Sequence, residues 1–176
     1  VRGLLALLLL VPLLARAQTV TGGAASVTTL ISSQVAVVGN GADTTEDTLF
    51  TVTIPAGTFV NVGDAIHIIA RGTNAASTDT KSVRVKFGGA NSDTFNTNIV
   101  GQTTWYIDEW LWKTGTNTQA WTAFHNLASN SGSNGFNSNL AITDTAAITL
   151  LITGQNSTAA TANSIQTSAI MVWAVH

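Results

Sequence analysis

Beyond residue 17, no window of eleven or more residues carries a 3.6-residue apolar period; regularly spaced apolar residues fall at every second position instead. In SVRVKFGG (82–89), Val83, Val85 and Phe87 point one way and Arg84 and Lys86 the other, until Gly88-Gly89 ends the run. In AIHIIARG (65–72), Ile66, Ile68 and Ala70 oppose His67, Ile69 and Arg71. Phe50, Val52 and Ile54 alternate with threonines, and Pro55, which has no amide hydrogen to give a ladder, stops that run. Side chains that alternate in this way belong to strands with one face on a core, so the chain must fold through sheets.

Turn signals divide the rest into comparable pieces. VTTLISSQVAVVG (27–39) reads as a first strand and NGADTTED (40–47) as a polar loop. Thr58–Val62 reads as a short second piece after Pro55, with Gly63-Asp64 as a turn. Segments 103–115, 119–129, 148–155 and 164–175 read as further strands, and SNSGSNGFNSN (129–139) as an aperiodic loop. Eight or nine strands with turns every eight to twelve residues predict an all-β, antiparallel β-sandwich, jelly-roll-like in form. An immunoglobulin-like sandwich is the second choice, and the missing Cys…Trp…Cys pattern removes its best signature.

One segment stands apart. Residues 2–17, RGLLALLLLVPLLARA, place one basic residue before an apolar run from Leu4 to Leu14 and a small-x-small site at Ala15-Arg16-Ala17. That is the layout of a secretory signal peptide, too short for a comfortable permanent anchor. The expected organisation is therefore a leader over 1–17, a flexible segment over 18–26 and a β-sandwich domain over 27–176, with no stable membrane span once the leader is removed. Cleavage would remove two of the seven basic residues and none of the nine acidic ones, taking the formal charge from −2 to −4. Such a balance argues against a nucleic-acid partner. There is no cysteine, so stability outside the cell must come from the core or from subunit contacts. Charged residues make up only 9% of the chain, which leaves a surface of hydroxyls and amides. A secreted or virion-surface location fits that composition.

Little in the chain suggests catalysis. His67, His125 and His176 have no ligand-like spacing, so neither metal nor cofactor is expected. G-x-S-x-G is missing, as are phosphate, calcium and nucleotide fingerprints. Asp108 and Glu109 are adjacent and face opposite sides of a strand, while Asp43, Glu46, Asp47, Asp79 and Asp93 read as solvated turn carboxylates and Asp64 as serving its own turn. Asn156-Ser157-Thr158 is a glycosylation sequon in a chain rich in such residues. The expectation is a protein that is not an enzyme.

The aromatic strand 103–115 carries more information. Trp105, Ile107, Glu109 and Leu111 share one face, and Tyr106, Asp108, Trp110 and Trp112 share the other. Both faces are apolar, and three readings stay open. A β-bulge could switch the register midway. The outer face could pack against another subunit. Or Tyr106, Trp110 and Trp112 could stack on a glycan. The last strand poses the same question, with Ile165, Ala169, Met171, Trp173 and Val175 opposing Ile170, Val172 and Ala174. Two doubly apolar strands favour a homo-oligomer.

These segments also carry a family likeness. Phe50, Ile54-Pro55-Ala56 and Gly63-Asp64, then Val85 with Phe87-Gly88-Gly89, then Trp105, Ile107 and Thr114-Gly115, and Ile152-Thr153-Gly154-Gln155 follow one another along the chain. From about Leu49 to Val175 the chain resembles small β-sandwich domains of tailed-phage and prophage virion proteins, in tail fibres, tailspikes and head-associated proteins. The resemblance implies a jelly-roll-like, trimeric structural or surface-attachment domain whose partners are other virion proteins or a host-surface glycan. It brings no catalytic residue. A secreted carbohydrate-binding module using exposed aromatics is the competing reading, and an extracellular structural protein a third.

Overall fold

The computed structural model describes residues 26–97, 103–127, 130–159 and 161–176. The expected leader and nearly all of the 18–26 segment lie outside the described residues. Eleven strands follow in order: β1 (Thr28–Gln34), β2 (Val38–Gly39), β3 (Asp47–Ile54), β4 (Ala65–Asn74), β5 (Lys81–Phe87), β6 (Ala90–Thr97), β7 (Thr104–Gly115), β8 (Thr118–Leu127), β9 (Asn130–Leu140), β10 (Ile148–Asn156) and β11 (Ile165–Val175). Among the described residues there is no helix.

The strands form two antiparallel sheets. The larger runs β1-β11-β4-β7-β8-β9, with β2 pairing the start of β11, and the smaller runs β3-β10-β5-β6. The quartets β1-β11-β4-β7 and β3-β10-β5-β6 reproduce the strand order of a jelly roll, in which the chain passes back and forth between two Greek-key sheets. The β8–β9 hairpin widens the larger sheet beyond that plan. The all-β, antiparallel sandwich expected from the alternation is thus the fold observed.

The core lies between the sheets and consists of the expected alternating residues. Ile54, Val83, Val85, Phe87, Leu150 and Ile152 from the smaller sheet meet Ile66, Ile68, Ala70, Ile107, Leu111 and Val172 from the larger, all buried. Phe59, from the 55–64 connection, closes one end with its ring edge-on to Phe87 at a centroid distance of 5.7 Å. That connection is a corner, as Pro55 and Gly63-Asp64 suggest, with no strand over 55–64. Gly57 and Gly63 take left-handed backbone angles within it, and both Val60 and Asn61 donate their amides to Asp64 Oδ2. Val60 and Val62 remain exposed.

Three other expectations give way. The 27–39 segment divides into β1 and β2, because residues 35–37 bend away and leave Val35 and Val37 exposed. The aperiodic 129–139 segment is mostly strand β9, and ANSDTFNT, which offers no clear signal, forms β6. Both are last strands in their sheets. Ladder bonds to β8 and β5 hold them extended where side-chain pattern does not, since strand preference depends heavily on context. In β11 a bulge between Thr167 and Ala169 switches the face. Ile165 therefore points inward with Ile170, Val172 and Ala174, and not outward with Met171 as strict alternation suggests.

Polar ties fix the loops. Asn40 Oδ1 accepts from the Ile165 amide at 2.8 Å and from Ser164 Oγ, which itself receives Asn156 Nδ2 at 2.6 Å. The sequon asparagine is thus fully buried. Lys113 Nζ donates to Asp144 Oδ2 at 2.7 Å, and the same carboxylate oxygen accepts the Asn117 amide, clamping the β7–β8 hairpin to the loop before β10. Asn117 takes a left-handed φ of 50° to turn that hairpin.

Candidate functional site

The two sandwich faces differ in chemistry. On the outside of the smaller sheet, Arg84 and Lys86 pair with Glu46 at 3.4 and 2.7 Å among threonines, a surface at ease in water. The outside of the larger sheet is aromatic.

Strand β7 builds that face. Its ladder with β4 runs unbroken from Thr104 to Trp112, and the register with β8 shifts only past Lys113. No bulge interrupts the alternation, so the register-switch reading fails: Trp105, Ile107, Glu109 and Leu111 are buried inward, while Tyr106, Asp108, Trp110 and Trp112 are half-buried on the outside. Inward of the face, Glu109 and His125 are buried within the sandwich and belong to a different environment. The inner backbone packs tightly here. A Cβ on Gly72 would fall 1.8 Å from the Gln166 carbonyl and 2.4 Å from the Trp105 ring, so only glycine fits where the indole crosses β4.

Register places the outer residues in rows across the sheet. One row joins Trp173 of β11, His67 of β4, Trp110 of β7 and Thr122 of β8. The next joins Met171, Ile69, Asp108 and Phe124, and the one after joins Ala169, Arg71, Tyr106 and Asn126. In the first row the His67 ring stacks on Trp110 at 4.0 Å and 12°, with Trp173 on its other side at 5.4 Å and 29°. Trp112 lies parallel to Trp110 at 5.8 Å. His67 Nε2 meets Asp108 Oδ1 at 2.8 Å, which fixes the ring in the stack. Tyr106 donates a longer bond to the other oxygen of Asp108. Burial, followed by the Asp108 charge, raises the Tyr106 phenol above its ordinary range and keeps it protonated.

Structure thus brings Trp110 and Trp112 together and adds His67 and Trp173 to them. Tyr106 stands apart, about 13 Å along β7 from Trp110 by strand rise, with Asp108 between. The stack turns ring faces toward one another, so Trp110 has one face on His67 and presents mainly ring edge outward. Apolar groups surround it: Met171 and Phe124 are each 42% exposed, and Leu30, in register with Trp173, is 54% exposed. The contribution of His67 was legible in its outward position on β4, but that of Trp173 required the β11 bulge and the strand order. Among the described residues no cluster of three or more His, Cys, Asp or Glu side chains is placed to hold a metal ion. Among them, too, no helix is long and apolar enough to cross a membrane.

No family model matches the chain, and no curated protein matches it. Among solved structures, the chain is similar to a protein of unknown function from Shewanella oneidensis MR-1. The identity is 10%, over 84% of this chain and 75% of that one, with a TM-score of 0.41. It is also similar to the CBM2 module of the evolved Dit of Lactobacillus casei BL23 phage J-1. There the identity is 10%, over 71% of this chain and 68% of that one, with a TM-score of 0.35.

Proposed function

We propose that this chain is a non-enzymatic structural domain of the virion-surface or attachment kind, and that it assembles with further copies of itself through the aromatic face of its larger sheet. The observation that carries this reading is the row Trp173–His67–Trp110, with Trp112 parallel beside it and Met171, Phe124 and Leu30 exposed around it. A stack whose central imidazole is covered on both sides, and which offers a rim of apolar edges and side chains, is suited to burial against a protein surface. Among the described residues, the opposite face of the sandwich carries ion pairs and no stacked aromatic rings. A cysteine-free domain outside the cell would gain stability from such burial. The jelly-roll plan, shared by many capsid and lectin domains, and the likeness of the IPA…GD and FGG segments to tailed-phage domains support the virion reading by analogy.

Light scattering coupled to size exclusion tests it. The domain should elute as a defined oligomer at micromolar concentration, and Met171→Lys with Phe124→Lys should convert it to folded monomer. A monomer at every concentration up to the millimolar range would overturn the reading.

A further inference from the structure

A second feature of the same sheet lies away from the aromatic stack and makes a different kind of site. At the row Ala169–Arg71–Tyr106–Asn126 the surface sinks into an open groove of about 520 Å³. Arg71, Thr73, Thr104, Tyr106, Asn126 and Ser168 line it. The β11 bulge produces this relief, because it turns Ser168 out of the ladder and sets its hydroxyl over the Arg71 carbonyl at 3.2 Å.

The charge within the groove is unspent. Five basic residues fall among the described residues, and four of them are engaged. Arg84 and Lys86 face Glu46, Lys113 faces Asp144, and Lys81 is buried against Ser77 and the Asp79 carbonyl. Among the described residues, Arg71 is the one cation whose side chain makes neither an ion pair nor a hydrogen bond, and it is exposed at the groove. Asp108, one row away, is already taken by His67 Nε2 and the Tyr106 hydroxyl, and it forms no ion pair with Arg71.

We infer that this groove binds a carboxylate-bearing sugar, a hexuronic or sialic acid unit of a glycan. A guanidinium fork matches a carboxylate bidentately. The remaining lining consists of three hydroxyls, an amide and a protonated phenol, which is the mixed donor and acceptor set that ring hydroxyls require. The volume suits one or two sugar units. Ser168, Thr73 and Tyr106 already donate their hydroxyl protons to the Arg71 carbonyl, Gln166 and Asp108, so their oxygens are left to accept. A sugar offers them several hydroxyl donors, where an acidic peptide offers one amide per residue. The groove lies about 13 Å along β4 from His67, and the inference does not rest on self-association.

Titration calorimetry and saturation-transfer NMR on the intact domain test the inference, with sialyllactose and an oligogalacturonate as probes and lactose and a poly-glutamate peptide as controls. At least one acidic sugar should bind, and lactose should not. Arg71→Ala should weaken that binding roughly tenfold or more, the loss of a charged hydrogen-bonded contact. Asn126→Asp, which sets a carboxylate opposite the ligand, should weaken it as well, and both exposed substitutions should leave the melting temperature and oligomeric state unchanged. Equal binding of lactose, tighter binding of the peptide, no binding of either acidic sugar, or full binding by the Arg71→Ala protein would each overturn the inference. Loss of assembly in Met171→Lys with acidic-sugar binding intact would separate the two surfaces.

Discussion

His67 and Asp108 sit on adjacent strands one register step apart, and their side chains join diagonally at 2.8 Å across the outer face of the larger sheet. The bond holds the imidazole upright between Trp110 and Trp173, so one polar contact organises three aromatic rings. Without it, His67 would be free to rotate and the stack would lose its centre.

His67→Ala should therefore lower stability by about 1–2 kcal/mol, the worth of the aromatic pairs it removes. It should also reduce the near-ultraviolet circular dichroism of the tryptophans. Asp108→Asn keeps a hydrogen-bond acceptor and should disturb that spectrum less than His67→Ala does. An unchanged tryptophan spectrum in His67→Ala would show that the stack does not depend on the imidazole.

Gly72→Ala should be the most damaging small substitution in β4. Its methyl would overlap both the Gln166 carbonyl and the Trp105 ring, and backbone cannot yield as a flexible side chain can. Urea denaturation should show a loss of about 3 kcal/mol or more, or no folded protein at all. A variant as stable as the parent would mean that β4 and β11 are further apart than described.

Asp144 links pH to stability. The hydrogen bond from Lys113, assisted by the Asn117 amide and opposed by burial, holds its carboxyl below the usual carboxylate range. The unfolded chain takes up the proton more readily, at a pKa of about 3.9. The clamp thus contributes fully above about pH 5 and fades as pH falls through the unfolded value toward the lower folded one. Asp144→Asn should cost about 3 kcal/mol at neutral pH, since Lys113, largely buried, keeps the Phe59 carbonyl but loses its opposite charge. Urea midpoints measured from pH 7 to pH 3 should fall more steeply for the parent than for the variant, and parallel curves would remove Asp144 from the account.

Asn156 should carry no glycan in folded protein. Its amide is fully buried and bonded to Ser164, so an attached sugar could be accommodated only by opening the Asn40–Ser164 tie. Mass spectrometry of the domain secreted from a eukaryotic host should find Asn156 unmodified. A glycosylated and natively folded product would contradict the burial.

Alternation by itself determined the class of fold and most of its core. Val83, Val85 and Phe87, or Ile66, Ile68 and Ala70, can satisfy a period of two only as strands with one face buried, and Pro55 and Gly88-Gly89 mark where strands end. The same pattern put Tyr106, Trp110 and Trp112 on one side of β7. It had no means of finding β6 and β9, whose glycines, asparagines and serines extend only because a neighbouring ladder offers them backbone partners. Nor could it place His67 between Trp110 and Trp173, or Arg71 beside Tyr106 and Asn126, because these residues are joined by the strand order β11-β4-β7-β8. Local periodicity fixes which way a side chain points. Its neighbours across the sheet are set by long-range pairing and, in β11, by a single bulge that shifts the register by one residue.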